Sequence, residues 1–388
     1  MRQILLLHQP FITNRNDYHL VLNANIINCL LGFILPLSAS LLPAWPMFVL
    51  RKFTPLFLAW RGWLLGLLLL VPGPAPQARP RPHYALEGHE QPVTLLHAGK
   101  ATYLVTQRSV FRLDGSQFVR HYQGAAQIQG AVLTDTVLWL GTRQGLLRMN
   151  TRDFRPYPLT LPGPAGPANI TALFRDARGA LWVGANGLGM FRLANGTFVP
   201  ELNTPAINGG IATADSSVWI ATSIGLSRKQ GMEWTRYNEE GVANHEIPDN
   251  IVDKLLPDNA GNLWVIMSDA ICVFEGGGQR AEAEAELPTV KFLGRPGNEV
   301  FSVAYLPGAG RLFATTLGLL LLPNEPANHL ASFTPATDKI EPKQLLRPLP
   351  PLPGAGNPVL LEMDKQQRLW LVSAETITVL TRKEFQRL

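Results

Sequence analysis

At 388 residues the chain is long enough for two or three domains; with 46% hydrophobic and 16% charged residues, 34 glycines and 32 prolines, it is too apolar for a disordered chain and too rich in turn formers for a helical bundle. The formal net charge is +5, but residues 1–78 hold five bases and one acid while the other 310 hold 29 bases and 28 acids, so the body lacks the basic field that gripping phosphates requires and nucleic acid is not expected as a partner. Two cysteines, Cys29 and Cys272, exclude a disulfide framework and a cysteine-based zinc site.

In chain order, residues 1–46 are apolar and read as an upstream extension, and residues 47–78 follow the pattern of a signal peptide or membrane anchor. Met47 stands where such a segment begins. Arg51 and Lys52 supply its basic end, residues 62–71 its apolar stretch, and residues 72–78 its small-residue end. The alternative is a membrane hairpin, because residues 26–45 are also apolar and close to the ~20 residues that span a bilayer. Either way Arg51 and Lys52 stay cytoplasmic, and the body is expected to be periplasmic or otherwise extracytoplasmic, free or anchored to the inner membrane.

Residues 79–388 repeat one unit. Short segments centred on Tyr103, Trp139, Trp182, Trp219, Trp264, Phe313 and Trp370 recur at intervals of 36 to 57 residues, as in Val137-Leu-Trp-Leu-Gly-Thr142 and Ala180-Leu-Trp-Val-Gly-Ala185. Seven units averaging about 44 residues match the size of a four-stranded propeller blade. Within a unit, β-type runs alternate with Asp/Asn–Gly turns, which is the chemistry of an antiparallel meander. An Asp-x-x-Gly step precedes the aromatic segment at Asp176–Gly179 and Asp258–Gly261, and a weaker form stands at Asp364–Gln367. Gly141, Gly184 and Ala221 keep the second strand thin where the next blade approaches, and the tryptophan on the other face is expected to fill the wedge between blades. Glycines 145, 187, 225 and 318 occupy the tips after this strand; Ala270 and Thr376 replace them in units five and seven, so those hairpins should differ.

The expected fold is all-β: a seven-bladed propeller of four-stranded antiparallel blades behind a hydrophobic leader. Ring closure needs an outermost strand for the last blade, which residues 81–88 or 383–388 could supply. Residues 275–287, rich in alanine and glutamate, and the proline-rich residues 322–358 read as solvated loops.

The phrases Leu138-Trp-Leu-Gly-Thr-Arg-Gln-Gly-Leu146 and Leu181-Trp-Val-Gly-Ala-Asn-Gly-Leu188 resemble the two-component regulator propeller repeat. So does the order Tyr237-Asn-Glu-Glu-Gly241, Pro248-Asp-Asn-Ile251, Asp258-Asn-Ala-Gly-Asn-Leu-Trp264. The resemblance covers the whole body. It implies a periplasmic module of a hybrid sensor kinase that recognises carbohydrate breakdown products, working with a downstream kinase or a second propeller; a homodimer is also open. No kinase helix, ATP-binding motif or receiver cluster is found in this sequence, so the chain by itself is expected to be a sensor and not an enzyme.

No catalytic grammar stands out. The eight histidines show no metal-ligand spacing, there is no Gly-x-Ser-x-Gly elbow, and residues 184–189 join two strands instead of opening a helix, so no cofactor or metal is expected. A small-molecule or oligosaccharide ligand would be held by loop side chains at one mouth of the ring. The hairpin tips offer Arg143, Gln144, Asn186, Ser223 and Asp269, and the inter-blade linkers offer Tyr237 and His245. Trp234 falls in an outer strand and reads as packing. The competing readings are an exported propeller lyase or glycoside hydrolase, with scattered polar residues at a funnel mouth, and a protein-interaction scaffold.

Overall fold

The computed structural model describes residues 82–163, 166–239, 245–278, 289–324, 339–340 and 346–388, with the backbone alone at 245–246 and 339–340. The chain divides into two units, Met1–Ala78 and Arg79–Leu388. The leader and most of both inserted segments lie outside the described residues, so the expectations placed on them are not addressed. Among the described residues, no helix is long and apolar enough to cross a membrane.

The body forms seven four-stranded antiparallel blades, each folded as the alternation of short apolar runs and tight turns dictates. Blade 3 shows the plan: Ile170–Arg175 lines the axis, and Leu181–Ala185, Gly189–Ala194 and Thr197–Leu202 follow outward. In blade 4 a short parallel strand, His245–Glu246, is added beyond the outer one. The closing strand comes from the N-terminal side of the body. His83–Ala85 pairs with Thr376–Leu380 at the rim of blade 7, with Tyr84 opposite Ile377, while Arg382–Phe385 turns into a short helix.

The wedge between blades is built as the repeat suggests, with one correction. Trp139 and Gly141 are two residues apart on a strand and therefore share a face, and both look toward blade 3. Trp139 packs there with Ile170 and Leu181, and a Cβ on Gly141 would come within 2.7 Å of the Ile170 Cγ2. The tryptophan and the thin position thus act on the same side. Trp182, Trp219 and Trp264 lean on the following blade in the same way.

Blade 6 departs from the expected alignment by one residue. Thr315 occupies the place of Thr142 before the tip, so Leu312, not Phe313, stands where the other blades carry the wedge aromatic. A slip of one position reverses the face. Phe313 therefore points back to blade 5, edge-on to Trp264 at 5.0 Å. In the seam ahead, the buried Phe385 of the terminal helix joins Leu312 and the leucines of blade 7.

The proline-rich stretch is not wholly solvated. Arg347–Pro348 forms the outer strand of blade 6, and Leu346 is 1% exposed. Lys339–Ile340 pairs in parallel with Phe292–Leu293. The hairpins of blades 5 and 7 keep a two-residue loop, closed by Met267 N–H to the Ala270 carbonyl and Ser373 N–H to the Thr376 carbonyl. They differ in lacking the positive φ adopted by Gly225, where a Cβ would run into the Tyr237 carbonyl.

Candidate functional site at the axial mouth

Hairpin tips and inter-blade linkers lie on one and the same face, because in six of the seven blades the first residue of the tip bonds to the linker entering its own blade. Arg143 N–H donates to the Gln127 carbonyl (3.0 Å), Asn186 N–H to Asn169 (2.9 Å), Ser268 N–H to Ile251 (3.1 Å) and Thr316 N–H to Glu299 (3.0 Å). In every blade but 3 and 5, where Ala185 and Met267 stand, a hydroxyl at the end of the second strand fixes the tip from within. Thr142 Oγ1 donates to the Gly145 carbonyl and accepts the Gln144 N–H, and Thr222 and Thr315 repeat the pattern. The face is a rigid ring of short turns.

At its centre the innermost strand begins with a bulge in six of the seven blades, blade 7 pairing without one. The register shifts between Ile128 and Gly130, Ile170 and Ala172, Ile207 and Gly209, Val252 and Lys254, Val300 and Ser302, and Pro92 and Thr94. The extra residue stands outside the ladder at the mouth of the channel, as bulges re-aim side chains elsewhere. In blades 2 to 5 it is Gln129, Thr171, Asn208 and Asp253, all polar; in blades 6 and 1 it is Phe301 and Val93. A cavity of about 530 Å³ opens there, lined among others by Gln107, Gln127, Gln129, Thr171, Asn208 and Lys254.

Three polar atoms at this mouth are fully buried without a hydrogen-bond partner: Gln129 Oε1, Thr171 Oγ1 and the neighbouring linker oxygen Asn169 Oδ1. A buried acceptor left unpaired costs about 1–3 kcal/mol, and native proteins carry few. Around them the polar groups are held in place. Asn208 Nδ2 donates to Ser223 Oγ (3.2 Å) and to the Val252 carbonyl (2.8 Å), and Lys254 Nζ pairs with Glu299 at 2.6 Å. Partial burial raises the Asp253 carboxyl above the usual carboxylate range; Lys254 opposes this, while Asp249 and Glu299 add to it.

None of the six expected side chains that the structure describes lines the cavity. Ser223 reaches its edge through Asn208. Arg143, Gln144 and Asn186 are exposed on the tips of blades 2 and 3. Asp269 is exposed on the tip of blade 5, its N–H donating to Asp249 Oδ2 and its carboxylate 3.5 Å from Lys291. Tyr237 is corrected outright: it is 3% exposed, packed against Trp219 and Phe274 between blades 4 and 5. The His245 side chain lies outside the described residues. The residues missed are the bulged ones. Their one signal is position, each following the apolar residue that opens its blade, as in Ile128-Gln129, Ile170-Thr171 and Ile207-Asn208.

The opposite mouth is different in kind. Its cavity of about 640 Å³ is walled by Leu96, Val132, Leu133, Leu173 and Phe174, with Arg175 and Asp135 at the edge. His97 stands at that end with Nδ1 on Thr102 Oγ1 at 3.1 Å; burial holds its imidazole below the usual value, against the pull of Asp364. Among the described residues, no group of three or more histidines, cysteines or carboxylates could hold a metal ion. Cys272 is buried and its thiol is pushed up by that burial, so it offers no nucleophile.

No family model matches the chain, and no curated protein matches it either. Solved structures share its fold. The extracellular domain of BT4673 from B. thetaiotaomicron is similar at a TM-score of 0.55 and 18% identity, over 76% of this chain and 39% of that one. The extracellular domain of BT3049, from the same organism and described as part of a hybrid two component system, is similar at 0.56 and 12%, over 78% and 41%. Virginiamycin B lyase from Staphylococcus aureus is similar at 0.54 and 13%, over 77% of this chain and 99% of its own. The chain spans about two fifths of the length of the first two. At these identities the likeness establishes the fold alone: the chain is a seven-bladed β-propeller, an architecture it shares both with these extracellular domains and with virginiamycin B lyase.

Proposed function

We propose that this chain is an extracytoplasmic ligand-recognition propeller of a two-component signalling system, non-catalytic by itself, that takes a small, polar, carbohydrate-like ligand at the axial mouth on the tip face. One observation carries the reading: Gln129 Oε1 and Thr171 Oγ1, buried and without hydrogen-bond partners among the described residues, belong to side chains that line the cavity of about 530 Å³, and Asn169 Oδ1 is left unpaired on the adjoining linker. Acceptors placed in this way select a ligand that presents several hydroxyl donors. The resemblance of the repeats to sensor propellers and the likeness of the fold to extracellular domains support the signalling half of the reading, with the output supplied by a kinase or second propeller elsewhere.

The test is isothermal titration of the full chain with a panel of neutral oligosaccharides, repeated on Gln129→Leu and Thr171→Val. Binding to the native chain that drops about tenfold or more in each variant is the expected result, on the scale of one lost hydrogen bond to a buried group. Heat from none of the panel, or equal binding by the variants, removes the mouth as the site. Release of a cleaved product during the titration moves the chain to the enzyme class.

A further inference from the structure

Blade 2 contains an arginine whose counterpart is missing. The third-strand residue paired with the wedge aromatic is Arg112 in blade 1, Arg148 in blade 2, Arg192 in blade 3 and Arg228 in blade 4. Three of the four are neutralised by a carboxylate of this chain. Arg112 donates twice to Asp114, Nε to Oδ1 at 2.7 Å and Nη2 to Oδ2 at 3.1 Å. Arg192 donates to Glu201 at 2.6 Å, and Arg228, set over the Trp219 ring, donates to Asp215 at 3.1 Å.

Arg148 has no such partner among the described residues. The place that serves blade 1, two residues beyond the arginine, is held in blade 2 by Asn150. That is the same shape without the charge, and its Oδ1 accepts the Arg152 N–H at 2.9 Å. Arg148 and Asn150 line a cavity of about 400 Å³ together with Val137, Arg152, Asp153 and Tyr157. The Arg152 guanidinium is also without a carboxylate among the described residues. Asp153 accepts the Arg155 N–H at 3.1 Å. Tyr157 is the cross-strand neighbour of Arg148 and is 56% exposed, an unusual place to leave a large ring.

We propose that this cavity is a carboxylate-binding site, separate from the axial mouth and independent of the role given to it. A flat, ring-bearing small molecule with one carboxylate gives Arg148 the in-plane pair of hydrogen bonds that Asp114 gives Arg112, and lays its ring on Tyr157. The planar guanidinium fork favours a carboxylate in this arrangement. Asp153 at the rim disfavours a doubly charged phosphate.

Benzoate and its neutral isostere benzamide are the probes, titrated calorimetrically into the full chain. Benzoate is expected to bind and benzamide not to. Asn150→Asp rebuilds the internal pair of blade 1 while keeping an acceptor for the Arg152 N–H, and should weaken benzoate about tenfold or more, the scale of one charge-assisted hydrogen bond. Arg148→Met should do the same; near-ultraviolet circular dichroism shows whether each variant is folded, and Asn150→Asp decides if Arg148→Met is not. The proposal is overturned by no heat with benzoate, by equal binding of benzamide, by preference for inorganic phosphate, or by unchanged affinity in folded Asn150→Asp.

Discussion

Asp258 shows how much one turn residue carries. Its side chain has no solvent exposure; Oδ1 accepts the N–H groups of Ala260 and Asn262, and Oδ2 accepts from Asn262 Nδ2, Trp264 Nε1 and Arg311 of the next blade. Asp176 and Asp364 hold Trp182 and Trp370 in the same manner, and Thr134 and Thr213 do so for Trp139 and Trp219. Asp258→Ala strands a guanidinium and an indole N–H together and should cost about 3–5 kcal/mol, while Asp153→Ala at the surface should stay within about 0.5 kcal/mol; urea unfolding distinguishes the two. Gln129→Leu goes the other way, since it removes an acceptor that has no partner, and is expected to leave the unfolding midpoint no lower than that of the native chain. The Asp and Trp of this device were legible in the sequence because they repeat as letters. The mouth was not, because its residues repeat as a position. A bulge adds one residue that period-two reading does not register, and what stands there runs from valine to aspartate. Tyr237 misled for the opposite reason: polar neighbours in a linker masked a strand whose alternation turns that one ring inward.

Among the elements, the seam between blades 6 and 7 and the seam between blades 7 and 1 are the informative ones. Phe385 is fully buried in the first, where strand two of blade 6 brings Leu312 in place of a tryptophan. Phe385→Ala should cost about 3–5 kcal/mol, more than removing a four-residue helix would suggest, and thermal melting reads the loss. The second seam holds Glu362 opposite Trp370 on the innermost strand of blade 7. Burial, with the nearby Asp364 charge adding to it, pushes its carboxyl up to about 7. A carboxyl raised in the folded state binds its proton more tightly there than in the unfolded chain, so its contribution is complete below pH about 4.5 and is lost as pH rises through 7. Glu362→Gln should therefore raise stability at pH 8 by about 2–3 kcal/mol and change it little at pH 4. Asp364 behaves oppositely. Against the upward push of burial, the Trp370 and Arg368 hydrogen bonds hold it below the usual range, so its contribution is present above pH about 4 and lost as the pH falls further.

At the scale of the whole molecule, the repeats, the blade count and the strand number per blade could be read from sequence, since aromatic segments, turn residues and strand periodicity all agree. The register of blade 6 and its outer strand could not. A proline-rich stretch gives no local sign that two of its residues will pair with a distant hairpin, and Leu312-Phe313 offers two apolar residues for one wedge. Ring closure was narrowed only to two ends of the body. A chain lacking residues 82–88 leaves Thr376–Leu380 as a bare edge and removes Tyr84 from between Trp370 and Phe118. It should melt at a lower temperature than the full chain and associate through that edge on a sizing column. The clasp also sets an order of events. His83 meets Thr378 across 295 residues of chain; at about 5–20 residues per second of synthesis, the opening strand waits roughly 15–60 s for its mate. Through that interval the nascent crescent has two raw margins, and any early stop leaves them exposed for good. The topology thus makes the disc whole only once its last strand has met its first.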